Sequence, residues 1–104
     1  MVIFMRVIAK SVVAAFWLRH PETKTPLSRW LAVTKAAEWR SVQEVLSSFP
    51  SAKAINGERV RFAVHGGAYR LIVSFDFARQ IAFIKFIGTH ADYDAIDATT
   101  ISLF

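Results

Sequence analysis

Residues 66–94 decide the fold, and they read GGAYRLIVSFDFARQIAFIKFIGTHADYD. Aromatic and branched residues alternate with other residues over 69–75, and a second apolar run with one charge follows over 81–87. The short segment DFARQ at 76–80 separates the two runs. This composition, bounded by Gly and Asp, predicts two strands of a hairpin, after which the chain leaves the sheet at Gly88.

Two cations interrupt these apolar strands, and they point to a binding site. A charged group is costly to bury alone, so Arg70 and Lys85 must reach solvent or a ligand. Both precede the polar segment THADYD at 89–94. If the hairpin pairs as predicted, the two cations converge with His90 and Tyr93.

The first half of the chain predicts one strand and then helices. Residues 2–8 are apolar on both faces and indicate a strand at or next to the centre of a sheet. Ser11 is the predicted N-cap of a first helix, which ends near His20 before a proline. Thr25 and Pro26 predict the start of a second helix. A third helix is predicted over Ser41–Phe49, with Ser41 and Glu44 in a capping box.

A basic strand follows these helices. Over residues 59–65 Arg59 and Arg61 alternate with apolar side chains, and Gly66-Gly67 turns the chain into the next strand. The resulting order is β-α-α-(α)-β-β-β, which predicts an α+β fold with an antiparallel sheet and helices on one face. Residues 1–104 are expected to form a single domain. The opposite sheet face is expected to carry Arg59, Arg61, Arg70 and Lys85 and to meet solvent or a ligand.

Composition narrows the function classes. The formal net charge is +5, which favours polyanionic partners such as nucleic acid or an acidic protein. Cysteine is absent, so disulfides and thiolate metal sites are excluded and a cytoplasmic location is expected. No apolar run is long enough to span a membrane. The opening residues predict a strand rather than a signal peptide, and Met5 is a second possible initiator beside Met1.

The side chains on the basic face suit RNA. Arg and Lys bind phosphates through charge-assisted hydrogen bonds, and an aromatic ring can stack on an unpaired base. RNA also carries its own nucleophile, the 2′-OH. Its cleavage needs a proton acceptor, a cation at the phosphorus centre and an acid for the leaving oxygen, roles that His and Arg fill. The three histidines have no ligand spacing, so no metal site and no cofactor are predicted.

Each of these residues also has a structural interpretation. Arg59 and Arg61 can be solvated residues on an open strand face, and Lys85 can extend from an edge strand to water. His90 can be a turn residue, and Tyr93 can cover the core with its hydroxyl at the surface. Periodicity alone therefore leaves a catalytic site and an ordinary surface both open.

The runs YRLIV at 69–73 and FIKFIGTHADYD at 83–94 resemble the HigB family of toxins from bacterial type II toxin–antitoxin systems, within the RelE-like superfamily. MRVI at 5–8, the FWxxHP stretch at 16–21 and FPSA at 49–52 are similar to the same family. The resemblance implies a single RelE-like domain with a curved antiparallel sheet packed by N-terminal helices. The hairpin VHGGAY at 64–69 departs from relatives that carry Asn beside the glycine.

The resemblance also implies a function. It implies a metal-independent endoribonuclease that cleaves mRNA in the A site of the small ribosomal subunit. It implies neutralisation by a HigA-type antitoxin with a helix-turn-helix domain, through which alone the complex meets operator DNA. Two alternatives use the same fold and charge: a non-catalytic RNA- or ribosome-binding module, and an inactive toxin kept as an antitoxin-binding scaffold.

Site residues follow from the same resemblance, position by position. Arg70 matches the arginine that stabilises the scissile phosphate, His90 the proposed acid or base, and Tyr93 the tyrosine beside it. Lys85 occupies a position that is often basic. Arg61, and with it Arg59, is a weaker candidate for phosphate binding. Asp92, together with Asp94, is a candidate to orient His90 or Tyr93.

Overall fold

A five-stranded sheet with helices packed on one face forms the protein, and the computed structural model describes residues 3–104. A short 3-10 turn over Pro21–Thr23 links the first two helices. The elements follow in the order β1 (Arg6–Ile8), α1 (Lys10–Arg19), α2 (Lys24–Lys35), α3 (Val42–Ser48), β2 (Lys53–Ala54), β3 (Arg59–Val64), β4 (Tyr69–Asp76), β5 (Ile81–Thr89) and α4 (His90–Asp94).

The predicted α+β class is confirmed, and the sheet order is β1-β5-β4-β3-β2. Strands β3, β4 and β5 form the predicted antiparallel meander. The sheet as a whole is mixed rather than antiparallel, because β1 runs parallel to β5. The pairing begins where the Arg6 amide donates to the carbonyl of Gln80 at the start of β5 (2.9 Å).

The first strand is shorter and more peripheral than its apolar sequence predicts. A strand over residues 2–8 at or near the centre was wrong: β1 has three residues and lies at the sheet edge, and Val2 lies outside the described residues. The side chain of Ile8 is 43% exposed. Apolar residues on both faces predict a central strand, which has neighbours on both sides. Here they belong to an edge strand, and Ile8 remains partly exposed to solvent.

Two predicted helix starts were also wrong. Helix α1 begins at Lys10 with Ala9 as its extended N-cap, ahead of the predicted cap Ser11. Helix α2 begins at Lys24, because the preceding 3-10 turn already sets helical geometry before Thr25 is reached. The predicted capping box of the third helix is formed only in part: the Ser41 hydroxyl accepts from the Glu44 amide at 3.4 Å, but no bond from the Ser41 amide to the Glu44 side chain is found within the described residues.

The main core lies between the helices and the sheet. Strand β3 alternates between buried and half-buried residues, and its apolar side chains face the helices. Fully buried side chains from all layers meet there; among them are Val13, Leu27, Val45, Val60, Leu71 and Val73. Burial of each such side chain stabilises the fold by about 1.5–3 kcal/mol. The core therefore fixes which face of each strand is directed towards the helices.

The opposite sheet face is partly covered by the chain's own C-terminal residues. Ile72 and Phe86 pair across β4 and β5, are buried, and lie outside the main core cluster. The ring of Tyr93 in α4 lies 6.3 Å from that of Phe86. The expectation that this face meets solvent or a ligand therefore holds only in part, because Ile72, Phe86 and the ring of Tyr93 fill some of it.

Candidate ribonucleolytic site

Strand register places two arginines side by side on the sheet face away from the main helices. Ala63 pairs with Arg70 and Arg61 pairs with Ile72, so the two arginines are diagonal neighbours. Diagonal positions on one face are about 7–8 Å apart, within reach of long side chains. The alternation of β3 and β4 thus brings together two cations that are nine positions apart in the sequence.

The ring of Tyr93 lies against both arginines. The guanidinium carbon of Arg70 is 5.8 Å from the Tyr93 ring centroid, and that of Arg61 is 6.0 Å from it. An aromatic face attracts a cation at this range, which helps hold the two guanidinium groups in place. Of the predicted convergence of Arg70 and Lys85 with His90 and Tyr93, the structure places Arg70 against Tyr93, and Arg61 joins them.

Within the described residues, these two arginines form no salt bridge with a carboxylate. The buried Nε atoms of Arg61 and Arg70 have no hydrogen-bond partner within the described residues. The salt bridges found over residues 3–104 join Arg79 to Asp76 and His90 to Asp94, and neither involves these arginines. Two half-buried cations without counter-charge form a natural site for an anion, since burial of an unpaired charge is otherwise unfavourable.

A capping box fixes the start of α4 at the end of β5. The Thr89 amide donates to Asp92 Oδ2 and the Asp92 amide donates to Thr89 Oγ1, both at 3.1 Å. A Cβ on Gly88 would lie 2.9 Å from Cζ of Phe86 and 3.1 Å from Asp92 Oδ2, so glycine permits this close approach. Asp92 thus has a structural role in the helix start, which the spacing T-x-x-D could have signalled.

Asp94, rather than Asp92, contacts the candidate catalytic histidine. His90 Nδ1 and Asp94 Oδ2 are 2.9 Å apart, one helical turn from each other. The His90 amide also donates to the Ala68 carbonyl (2.9 Å), which ties the start of α4 to the β3–β4 turn. His90 follows Gly88, the partner of Arg70, by two residues, so it lies at the same end of the sheet. The i, i+4 spacing is the sequence signal for this pair.

Lys85 and Arg59 lie farther along the sheet. Lys85 is three residues before Gly88, about 10 Å along the strand, and its Nζ is 5.5 Å from the Phe83 ring centroid. It lines a groove that also contains the carboxylates Glu58 and Asp76. The structure therefore brings Arg61, Arg70 and Tyr93 together, and places Lys85 in a surface of mixed charge.

Arg59 holds the C-terminal segment against the sheet. Its Nη1 donates to the carbonyls of Ala98 (3.1 Å) and Ile101 (2.8 Å). The Leu103 amide donates to the Lys85 carbonyl at 2.9 Å, so residues 98–103 cross the same face. These bonds give Arg59 a structural role beside the phosphate-binding role predicted for it.

Removing this anchor is expected to loosen the segment. In Arg59→Ala we expect hydrogen–deuterium exchange at the Leu103 amide to rise about tenfold or more, since hydrogen bonds to a charged donor contribute about 1.5–3 kcal/mol. Arg40→Ala, which removes an exposed cation elsewhere, is the matched control. Unchanged exchange at Leu103 in Arg59→Ala would show that the segment is held by other contacts.

A second polar cluster lies on the helix side at the same end of the sheet. The Tyr69 hydroxyl donates to Glu22 Oε2 (3.0 Å) and lies 3.4 Å from His20 Nδ1, and the His20 ring stacks on Phe16. Hydrogen bonds from its own backbone amide and from Tyr69 lower the pKa of Glu22, and the same Glu22 bond raises the pKa of Tyr69. From the sequence, His20 was predicted only to end the first helix. No local sequence pattern predicts that it lies beside Tyr69 and Glu22.

Within residues 3–104, no group of three or more His, Cys, Asp or Glu side chains is arranged to hold a metal ion. No helix in the described part of the chain is long and apolar enough to cross a membrane.

The geometry can be set beside known protein families. A family model described as HigB_toxin, RelE-like toxic component of a toxin-antitoxin system, matches residues 23–96. The match covers β2 to β5 with α4, and so includes Arg61, Arg70, His90 and Tyr93. A search of curated proteins gives no match. Because the match extends over more than half of the chain, this protein belongs to the HigB_toxin family, the RelE-like toxic components of toxin–antitoxin systems.

Proposed function

We propose that this toxin is an endoribonuclease that cleaves mRNA by attack of the RNA's own 2′-OH. The observation that carries the proposal is the pair Arg61 and Arg70, which are half-buried, form no salt bridge within residues 3–104 and lie against one tyrosine ring. A phosphodiester supplies the missing negative charge, and the fork of an arginine can bind two phosphate oxygens at once.

The reaction is a transesterification that balances without an added reactant. A base takes the proton of the 2′-OH, O2′ forms a bond to phosphorus, and the bond from phosphorus to O5′ breaks. The departing O5′ receives a proton. The products carry a 2′,3′-cyclic phosphate and a 5′-OH, so no metal-bound water enters the step.

Arg70 is proposed as the phosphate clamp and Arg61 as its neighbour. Arginine stays protonated at any working pH, so the pair can stabilise the charge that develops on the phosphorane oxygens. Tyr93 is proposed to position these groups, since its ring lies against both guanidinium groups. The ring also offers a face on which an unpaired RNA base can stack.

His90 is proposed to transfer the proton, and Asp94 to orient it. With Nδ1 engaged by Asp94 Oδ2 at 2.9 Å, Nε2 is the nitrogen left for exchange with RNA. The side chain of His90 is 53% exposed, which leaves it accessible to a substrate. Asp92 supports this arrangement indirectly through the cap of α4.

Lys85 and Arg59 are proposed to contact RNA beyond the scissile phosphate. Both lie farther along the same face, where a strand of RNA leaving the Arg61–Arg70 pair would pass. Their contribution is expected to be smaller, because Glu58 and Asp76 share the groove with Lys85 and Arg59 already binds two carbonyls.

The proposed cellular setting follows from the family. Residues 1–104 act as one toxin domain in the cytoplasm, on mRNA in the A site of the small ribosomal subunit. A HigA-type antitoxin with a helix-turn-helix domain neutralises the toxin and carries the complex to operator DNA.

Induced expression in a bacterial host, followed by primer extension on an abundant mRNA, tests the proposal. We expect growth arrest and new 5′ ends inside coding sequence, and the ends should carry 5′-OH groups. The purified chain should cleave ribosome-bound mRNA equally well after treatment with a zinc-selective chelator that leaves the Mg²⁺ of the ribosome in place. Arrest without new ends would replace the nuclease by an RNA- or ribosome-binding module, and absence of arrest would favour an inactive scaffold.

A further inference from the structure

An apolar groove lies between α1 and α2, on the helix layer of the protein. It has a volume of about 540 Å³, and Phe4, Trp17, Leu31 and Ala32 form its apolar lining. Lys10 and Lys35 stand at its rim. These six residues define the α1–α2 groove, which lies on the helix layer and not on the face that carries Arg61 and Arg70.

Helix α1 exposes more apolar surface than a solvated helix should. Residues 12–18 read VVAAFWL without a polar side chain, yet the helix covers the core with only part of its circumference. Val13 and Phe16 are buried, whereas Phe4 and Trp17, which line the groove, are 52% exposed and half-buried, respectively; Leu18, outside the groove, is 77% exposed. A helix that is apolar all round is normally enclosed by other structure. The side of α1 that carries Trp17 and faces the groove is therefore an apolar surface without a partner in the described chain.

The charges around the groove all have one sign. Helices α1 and α2 contain Lys10, Arg19, Lys24, Arg29 and Lys35 but no Asp or Glu. None of these cations takes part in a salt bridge within residues 3–104. The nearest acids in the sequence flank the helices: Glu22 bonds to Tyr69 and Glu38 follows α2. An occupant of the groove should therefore be apolar along one stripe and acidic beside it.

We propose that the α1–α2 groove is the docking surface for an acidic amphipathic helix of the antitoxin. A helix with a leucine stripe fills a groove between two helices, and glutamates beside the stripe reach Lys10 and Lys35. The proposal rests on membership of a toxin–antitoxin family and is independent of the ribonuclease chemistry, which uses the other sheet face.

Other occupants fit less well. A second copy of this chain would bring two cationic helix layers together at a net charge of +5 each. RNA would match the lysines but would leave Phe4, Trp17 and Leu31 without an apolar partner.

Binding of a defined peptide tests the proposal. The probe is a fluorescent peptide of about 18 residues, or five helical turns, with leucines on one face and glutamates on both flanks. A scrambled peptide of equal composition is the control probe. We expect the full-length chain to bind the amphipathic peptide and not the scrambled one, as measured by fluorescence anisotropy at physiological salt.

Matched variants separate groove binding from general charge attraction. Lys10→Glu with Lys35→Glu should weaken binding about tenfold or more, because two attractive contacts become repulsive. Arg40→Glu with Lys53→Glu makes the same change of net charge at exposed positions away from the groove and should leave affinity near wild type. Phe4→Ser should weaken binding, and Leu103→Ser, at a residue of similar exposure (55%), should not.

Several outcomes would overturn the proposal. Equal weakening by both charge-reversal pairs, equal binding of the scrambled peptide, or no binding of either peptide would remove the groove as an acidic-helix site. Self-association in sedimentation that Phe4→Ser abolishes would assign the groove to a second copy. Loss of mRNA cleavage would not bear on it, because the site of cleavage lies on the other face.

Discussion

Replacement of His90 by alanine is expected to slow mRNA cleavage by about 10²–10⁴-fold, the usual loss when a general acid or base is removed. The histidine lies at the end of β5, beside the Arg70 strand, and its Nδ1 is 2.9 Å from Asp94 Oδ2. The rate of cleavage of a ribosome-bound mRNA, measured as the yield of new 5′ ends over time, checks the prediction. Growth arrest should weaken in parallel at equal expression.

Two further variants make this test specific. Asp94→Asn should lose less rate than His90→Ala and should shift the pH profile of cleavage, because it alters the partner of His90 while leaving the imidazole. His65→Asn is the control, since His65 is exposed and its φ of 52° is one that asparagine tolerates. If His90→Ala cleaved as fast as His65→Asn, proton transfer by His90 would be wrong.

Replacement of Arg70 by alanine is expected to reduce cleavage by about 10²–10³-fold, the loss seen when one transition-state hydrogen-bond donor is removed. Within residues 3–104 its guanidinium group takes part in no salt bridge, so its charge is available to a phosphate. For the same reason we expect little loss of stability: the thermal midpoint should change by less than about 4–8 °C, the shift that 1 kcal/mol produces in a domain of this size.

Conservative and control variants separate geometry from charge. Arg70→Lys keeps the charge but loses the bidentate fork, so it should recover only part of the activity. Lys53→Ala removes an exposed cation on β2, at the far edge of the sheet, and should cleave like wild type. Full activity in Arg70→Lys would reduce the role of Arg70 to a point charge, and full activity in Arg70→Ala would contradict the phosphate clamp.

Much of the site's composition could be read from the chain. The alternation over β3 and β4 predicted that Arg61 and Arg70 share the face away from the core, because side chains of a strand point to opposite faces in turn. The chain was predicted to leave the sheet at Gly88, and it does so one residue later, after Thr89, where α4 begins. The resemblance to HigB toxins is confirmed by the family match over residues 23–96.

Other predictions failed where one local pattern fits two arrangements. The apolar residues 2–8 suit a buried strand, yet β1 lies at the edge and its apolar surface faces an open groove. Ser11 and Thr25 have the chemistry of a cap, but the helices begin earlier because the preceding backbone is already shaped by Ala9 and the 3-10 turn. A side chain suited to an N-cap shows that a helix begins nearby, but it does not show at which of several neighbouring residues the helix begins.

By itself, the sequence determined the α+β class, the antiparallel meander of β3, β4 and β5, and which residues carry the charge of the open face. These follow from side-chain periodicity, which acts over a few residues. Only the tertiary structure decided that Arg61 joins Arg70 against the ring of Tyr93, and that Arg59 binds the carbonyls of Ala98 and Ile101. The contacts of Tyr93 and Arg59 join residues 23 to 42 positions apart, so they depend on strand register and on the path of the last residues, which no local pattern specifies.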